Sequence, residues 1–169
     1  HEKLVHRPKQ LHDHSTPSGQ SVAVFNLVRL YWLTEKEDYR DKAEKVFDLL
    51  VDSMEQNPLG FTNLLCALDF HLSPPTTIVL AGFASPAKDG FPLPEENMLA
   101  QIHSRYVPNK LVAAVPSGND LPLPLFAGRT GLGGKPTAYL CRNFTCASPV
   151  TEPEELGREA QAELQHLDA

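Results

Sequence analysis

Cys141 and Cys146 are the most chemically suggestive pair of side chains in this 169-residue sequence. The residues between them, Arg142-Asn143-Phe144-Thr145, exclude the two-residue spacing of a thioredoxin dithiol or a zinc knuckle. If the strand ending near Cys141 turns back on itself, the two sulfurs come within bonding range, and Arg142 would favour a thiolate. The residues taken by themselves favour a different state, two buried free cysteines packed beneath the final helix. Asn143-Phe144-Thr145 is also an N-glycosylation sequon, which matters only in a secreted chain.

Other constellations are weaker. Asp13, Ser18 and Gln20 surround the start of the first helix, where free amides could meet an anionic or hydroxylated ligand; helix capping by Ser18 is the competing reading. His12-Asp13-His14, with His1 and His6 nearby, has zinc-ligand types, but the spacing is not that of a helical metal pair and nothing completes the set. No metal and no cofactor is expected. Gly128-Arg129-Thr130-Gly131-Leu132-Gly133-Gly134-Lys135 resembles a phosphate loop and fails it. Arg129 sits where the first Gly belongs, Pro136 where Ser or Thr belongs, and a strand follows instead of a helix. It reads as a flexible turn. Asp69 and His71 are two apart and face different sides of a helix, so they read as packing or surface groups.

These residues need elements to hold them. Residues 1–17 are polar and irregular. A helix from Pro17-Ser18-Gly19 to about Thr34 is apolar nearly all round, the mark of a helix buried between neighbours. Thr34-Glu35-Lys36-Glu37 reads as a capping box opening a helix that ends at Asn57-Pro58. A third helix, Phe61 to Leu72, sets Leu64, Leu65, Leu68 and Leu72 on one stripe. Strands follow at Thr77–Ala81, Leu111–Val115 and Thr137–Cys141, with a helix from about Pro94 to Tyr106, a loop over 116–136 and a last helix from Glu152 to Leu167. Strand, helix, strand predicts a βαβ unit with a right-handed crossover. The fold class is therefore α+β, with a helical segment over 1–73 and a small α/β subdomain over 74–169. Composition shifts at the same place: of 15 prolines, only Pro8, Pro17 and Pro58 precede Pro74.

The bulk numbers limit partners. A formal charge of -6 with scattered basic residues argues against nucleic acid, which needs clustered Lys and Arg. The apolar runs are too short to span a bilayer. With three cysteines and no visible signal peptide, a reducing cytoplasmic setting is expected. The opening His1-Glu2-Lys3, without Met, suggests an excised or processed piece.

Several stretches together resemble the C-terminal region of the YyaL / spermatogenesis-associated thioredoxin-domain-containing family. They run in order: Arg7-Pro8-Lys9, Asp13, Pro17-Ser18-Gly19-Gln20-Ser21-Val22-Ala23, Ile78-Val79-Leu80-Ala81-Gly82, Pro108-Asn109-Lys110, Thr137 through Cys146, and Pro149-Val150-Thr151-Glu152-Pro153. The resemblance implies an N-terminal thioredoxin-like domain followed by an (α/α)6 toroid similar to that of N-acylglucosamine 2-epimerases and six-hairpin glycosidases. This chain would supply the toroid's last helices and the α/β piece after them. Gln20 stands where the family usually has Asn, and the family's dithiol lies outside these residues. The expectation is a part noncatalytic alone, partnered by the rest of its own polypeptide and by a sugar-like small molecule at Asp13, Ser18 and Gln20. Two alternatives stand beside it: a thiol relay through Cys141 and Cys146 with the missing domain, and a plain structural or interaction module.

Overall fold

A computed structural model describes residues 9–83, 95–116 and 122–165. It divides into two compact units, His1–Ser73 and Pro74–Ala169. Among the described residues they hold five α-helices and a four-stranded mixed sheet, an α+β composition.

The first unit contains α1 (Gly19–Thr34), α2 (Glu37–Gln56), a 3-10 turn (Pro58–Phe61) and α3 (Thr62–Leu72). Val24 and Val28 of α1, Ala43, Phe47, Leu50 and Met54 of α2, and Phe61, Leu64, Ala67 and Phe70 around α3 form its core. The spacing of the α2 set is that of one helical face. Two expectations change here. On α3 the buried stripe runs through Leu64, Ala67 and Phe70, whereas Leu72 is 69% exposed; choosing the leucines picked the neighbouring face of a helix rich in apolar residues. On α1, Val22 and Leu30 stay exposed, so the helix is not enclosed within its own unit.

No capping box forms at Thr34. The helix continues through that residue, whose hydroxyl donates back to the Leu30 carbonyl at 2.7 Å. Glu35, left-handed with φ 56°, ends α1, and Lys36 precedes α2 without a side-chain cap. Glu37 pairs instead with Arg40 at 2.5 Å. The Thr34 oxygen accepts from the Lys36 amide, at 3.4 Å, where a capping box would need the Glu37 amide.

In the second unit β1 (Thr76–Phe83) lies at the centre, with β2 (Lys110–Pro116) parallel on one side and β3 (Thr137–Arg142) antiparallel on the other. A short strand missing from the sequence reading, β4 (Thr145–Cys146), pairs antiparallel with β3. The order is β2-β1-β3-β4, and α4 (Glu95–His103) lies between β1 and β2 in sequence. The expected helix start at Pro94 and the end of the last helix at Leu167 lie outside the described residues.

Alternation along the strands sorts the side chains onto two faces. Ile78 and Leu80 of β1 stand opposite Leu140 and Ala138 of β3. They pack with Met98 and Ile102 of α4 and with Leu156 and Ala160 of α5 (Pro153–Gln165). Thr77, Val79 and Ala81, facing Cys141, Tyr139 and Thr137, therefore look the other way. Segment 124–136 is tied to that second face, and it is not a plain loop. It holds a 3-10 turn, Pro124–Phe126, and a Leu132–Lys135 bridge closed by Gly133-Gly134, both at positive φ. Tyr139 Oη donates to the Thr130 carbonyl at 2.7 Å, and the Leu132 amide donates to Thr137 Oγ1 at 2.9 Å.

Candidate functional site

Cys141 and Cys146 sit directly opposite each other on β3 and β4. Between them Asn143 and Phe144 both take positive φ, 47° and 62°, the backbone of a two-residue type I′ hairpin turn. That turn brings the Cα atoms to 3.9 Å, and the sulfurs are bonded at 2.09 Å. The two cysteines are therefore not free thiols, and they do not lie beneath the final helix. Leu140 takes the helix-facing position, so period-2 alternation sends Cys141 to the other face. Cys141 is buried; Cys146, at the sheet edge, is half-buried. Cys66 is free and exposed.

The cation beside the sulfurs is Arg129, and not the Arg142 picked out from the sequence. Arg129 Nη2 lies 2.9 Å from Cys146 Sγ and 3.6 Å from Cys141 Sγ. Its Nη1 donates to the Leu125 carbonyl and, at 3.4 Å, to that of Pro124. Arg142 follows Cys141 along β3 and so faces away from the bridge. Reading 128–135 as a flexible turn hid Arg129. Its signal lay in the alternation of β3, which leaves the Cys141 face to whatever segment covers the sheet. Lys135, the would-be phosphate lysine, pairs with Glu152 at 3.0 Å.

Asp13 and Ser18 come together, but their polar groups are used internally. Asp13 Oδ1 accepts from the Ser18 amide at 2.7 Å and from Ser21 Oγ at 2.8 Å; Oδ2 accepts from the Asn63 amide at 2.8 Å. Ser18 caps α1, its hydroxyl accepting from the Ser21 amide at 3.0 Å. Burial pushes the Asp13 carboxyl up, yet the bonds from Ser18, Ser21, Asn63 and Leu64 outweigh it and hold the group below its ordinary value of 3.8. Neither Ser21 nor Asn63 was singled out: Ser21 reads as an ordinary first-turn residue of the helix, and Asn63 lies 50 positions from Asp13 along the chain. Gln20 stands apart, lining an open groove of about 370 Å³ with Lys9, Gln10 and Gly19.

Within the histidine cluster, His12 packs against the Phe61 ring at 4.9 Å, and His1 and His6 lie outside the described residues. Among the described residues no three His, Cys, Asp or Glu side chains are placed to share a metal ion. No helix among them is long and apolar enough to cross a membrane. His71 meets Glu44 of α2 at 3.4 Å and the Phe47 ring at 5.5 Å.

No family model and no solved structure matches the chain. Curated proteins do. The chain is similar to spermatogenesis-associated protein 20. It is 30% identical to the Homo sapiens protein over 154 residues, which is 89% of this chain and 19% of the relative. The Rattus norvegicus protein of the same name gives 30% over 154 residues. Uncharacterized protein B0495.5 of Caenorhabditis elegans gives 30% over 149 residues, 85% of this chain and 19% of the relative. The chain thus spans about a fifth of the length of these relatives, 19% in each case.

Proposed function

We propose that this chain is the C-terminal part of a YyaL-type protein, and that Cys141 and Cys146 form a thiol–disulfide exchange site whose partner is that protein's thioredoxin-like domain. The observation that carries the reading is the bridge itself, with one sulfur half-buried at the sheet edge and a guanidinium in hydrogen-bond range of both. A cation beside the sulfurs favours the thiolates that an opened bridge releases. A cytoplasmic setting fits this use, because disulfides there are mostly transient and catalytic or redox-sensing.

The test uses the oxidised chain carrying Cys66→Ser, which removes the exposed third thiol. Reduced thioredoxin should open the bridge within minutes under native conditions, followed by mass spectrometry after alkylation. A bridge that opens only once the protein is unfolded makes the pair a structural staple and the chain a plain structural module.

A second reading rests on the groove beside Gln20. In it the first unit completes an (α/α)6 toroid that binds a sugar-like ligand, and the exposed Val22 and Leu30 of α1 are faces that neighbouring helices would cover. Asp13 and Ser18 would then shape the site while Gln20 meets the ligand. Titration of the longer protein with N-acyl sugars tests it. Binding that Gln20→Ala leaves unchanged removes Gln20 from the site.

A further inference from the structure

We infer that the exchange is directional: Cys146 is the sulfur that joins an incoming dithiol, Cys141 is the resolving sulfur, and Arg129 holds the negative charge on whichever of the two is released. This rests on the exchange reading above and assigns its atoms. Three observations carry it.

The first is access. A thiolate attacks a disulfide along the S–S axis and must reach the sulfur it bonds. Cys141 is 4% exposed, under the covering segment, while Cys146 is half-buried at the sheet edge. The second is the placement of Arg129. Its Nη2 bridges the two sulfurs at 2.9 and 3.6 Å, so charge can pass between them without the guanidinium moving. The third is that Nη1 is anchored on the Pro124 and Leu125 carbonyls, which fixes the plane of the guanidinium independently of the sulfurs.

The step balances with a thioredoxin-type dithiol as reductant. Its thiolate bonds to Cys146 Sγ, the Cys141–Cys146 bond breaks, and the electron pair leaves on Cys141 Sγ beside Nη2. The reductant's second thiol, deprotonated, then attacks its own neighbour in the mixed disulfide and expels Cys146 as a thiolate, 2.9 Å from Nη2 in the present geometry. The reductant ends as a disulfide, and the chain as a dithiol after proton uptake from water. In reverse, the Cys146 thiolate is the nucleophile.

The experiment again uses Cys66→Ser. Oxidised chain is mixed with a thioredoxin lacking its resolving cysteine, and the trapped adduct is digested and mapped by mass. The expected result is at least about tenfold more adduct on Cys146 than on Cys141. Equal labelling, or labelling of Cys141, overturns the direction. No adduct with this thioredoxin or with glutathione sinks the exchange reading itself, a distinguishable failure.

Arg129 is tested in reduced protein by the pH dependence of Cys146 alkylation. Arg129→Met should move the midpoint up by about one pH unit or more, and Arg129→Lys should restore part of the shift, since Lys keeps the charge but loses the bridging fork. Arg142→Gln should move nothing. A profile unchanged in Arg129→Met overturns the charge-holding role even where the mapping favours Cys146.

Discussion

Asp13 joins three pieces of backbone with one carboxylate: its own segment, the first turn of α1 at Ser18 and Ser21, and the start of α3 at Asn63. Residues next to an irregular polar segment are easily read as solvent-facing, so the sequence suggests a ligand group where the structure places a cap. Replacing it by Ala leaves several buried donors unpaired, and the expected loss is about 2–3 kcal/mol. Urea unfolding followed by the fluorescence of Trp32, the one tryptophan of the chain, reads it in the first unit. The pH dependence has a definite sign. A carboxyl held below its unfolded value of 3.8 adds stability that is full above that value and is lost as pH falls through the folded one. The stability gap between the native chain and Asp13→Asn should therefore narrow in acid. Parallel curves down to the acid transition would show that the carboxylate charge contributes nothing.

At the scale of elements, Gly82 and Gly131 seat the covering segment on the sheet. A Cβ on Gly82 would lie 2.5 Å from Gly131 Cα, and Gly82 also has φ +79°. Both the space and the backbone angle exclude a side chain. Gly82→Ala should cost about 2–4 kcal/mol, measurable as a lowered urea midpoint of the far-ultraviolet circular dichroism, whereas Gly128→Ala, with open space around it, should cost only its positive-φ penalty of about 1–2 kcal/mol. Equal losses would mean that the close approach does not seat the segment. These glycines also explain what the sequence could and could not reveal. Helices and the three longer strands announce themselves through apolar period and breakers, so α2 or β1 is legible within a residue or two. The glycine-rich stretch has two meanings at the level of residue type, a phosphate cradle or a close backbone approach, and only the sheet beneath it decides. The bridge was obscured for a related reason. A two-residue β4 has no periodicity to read, and its turn places Phe144, a residue that rarely accepts positive φ, where Gly or Asn is the usual signal.

At the scale of the whole molecule, each unit owns a core: one around Val24, Phe47 and Leu64, the other around Ile78, Leu140 and Leu156. The proposed exchange needs only the second of them together with a dithiol from elsewhere. Under the proposal that dithiol belongs to the same polypeptide, a longer protein of which this chain would be about a fifth, 19% by matched length. Tethering turns the bimolecular attack on Cys146 into an intramolecular one, with an effective concentration that reaches the millimolar range for short flexible linkers. The kinetics then differ in form as well as in size. Reduction of the Cys141–Cys146 bridge by the tethered domain should follow a first-order rate independent of protein concentration. A free thioredoxin acting on this chain should give a rate that rises linearly with its concentration. Quenched-flow alkylation over a hundredfold range of protein concentration separates the two. A second-order dependence in the longer protein would mean that its own dithiol does not reach Cys146, and the exchange partner would have to be a separate molecule.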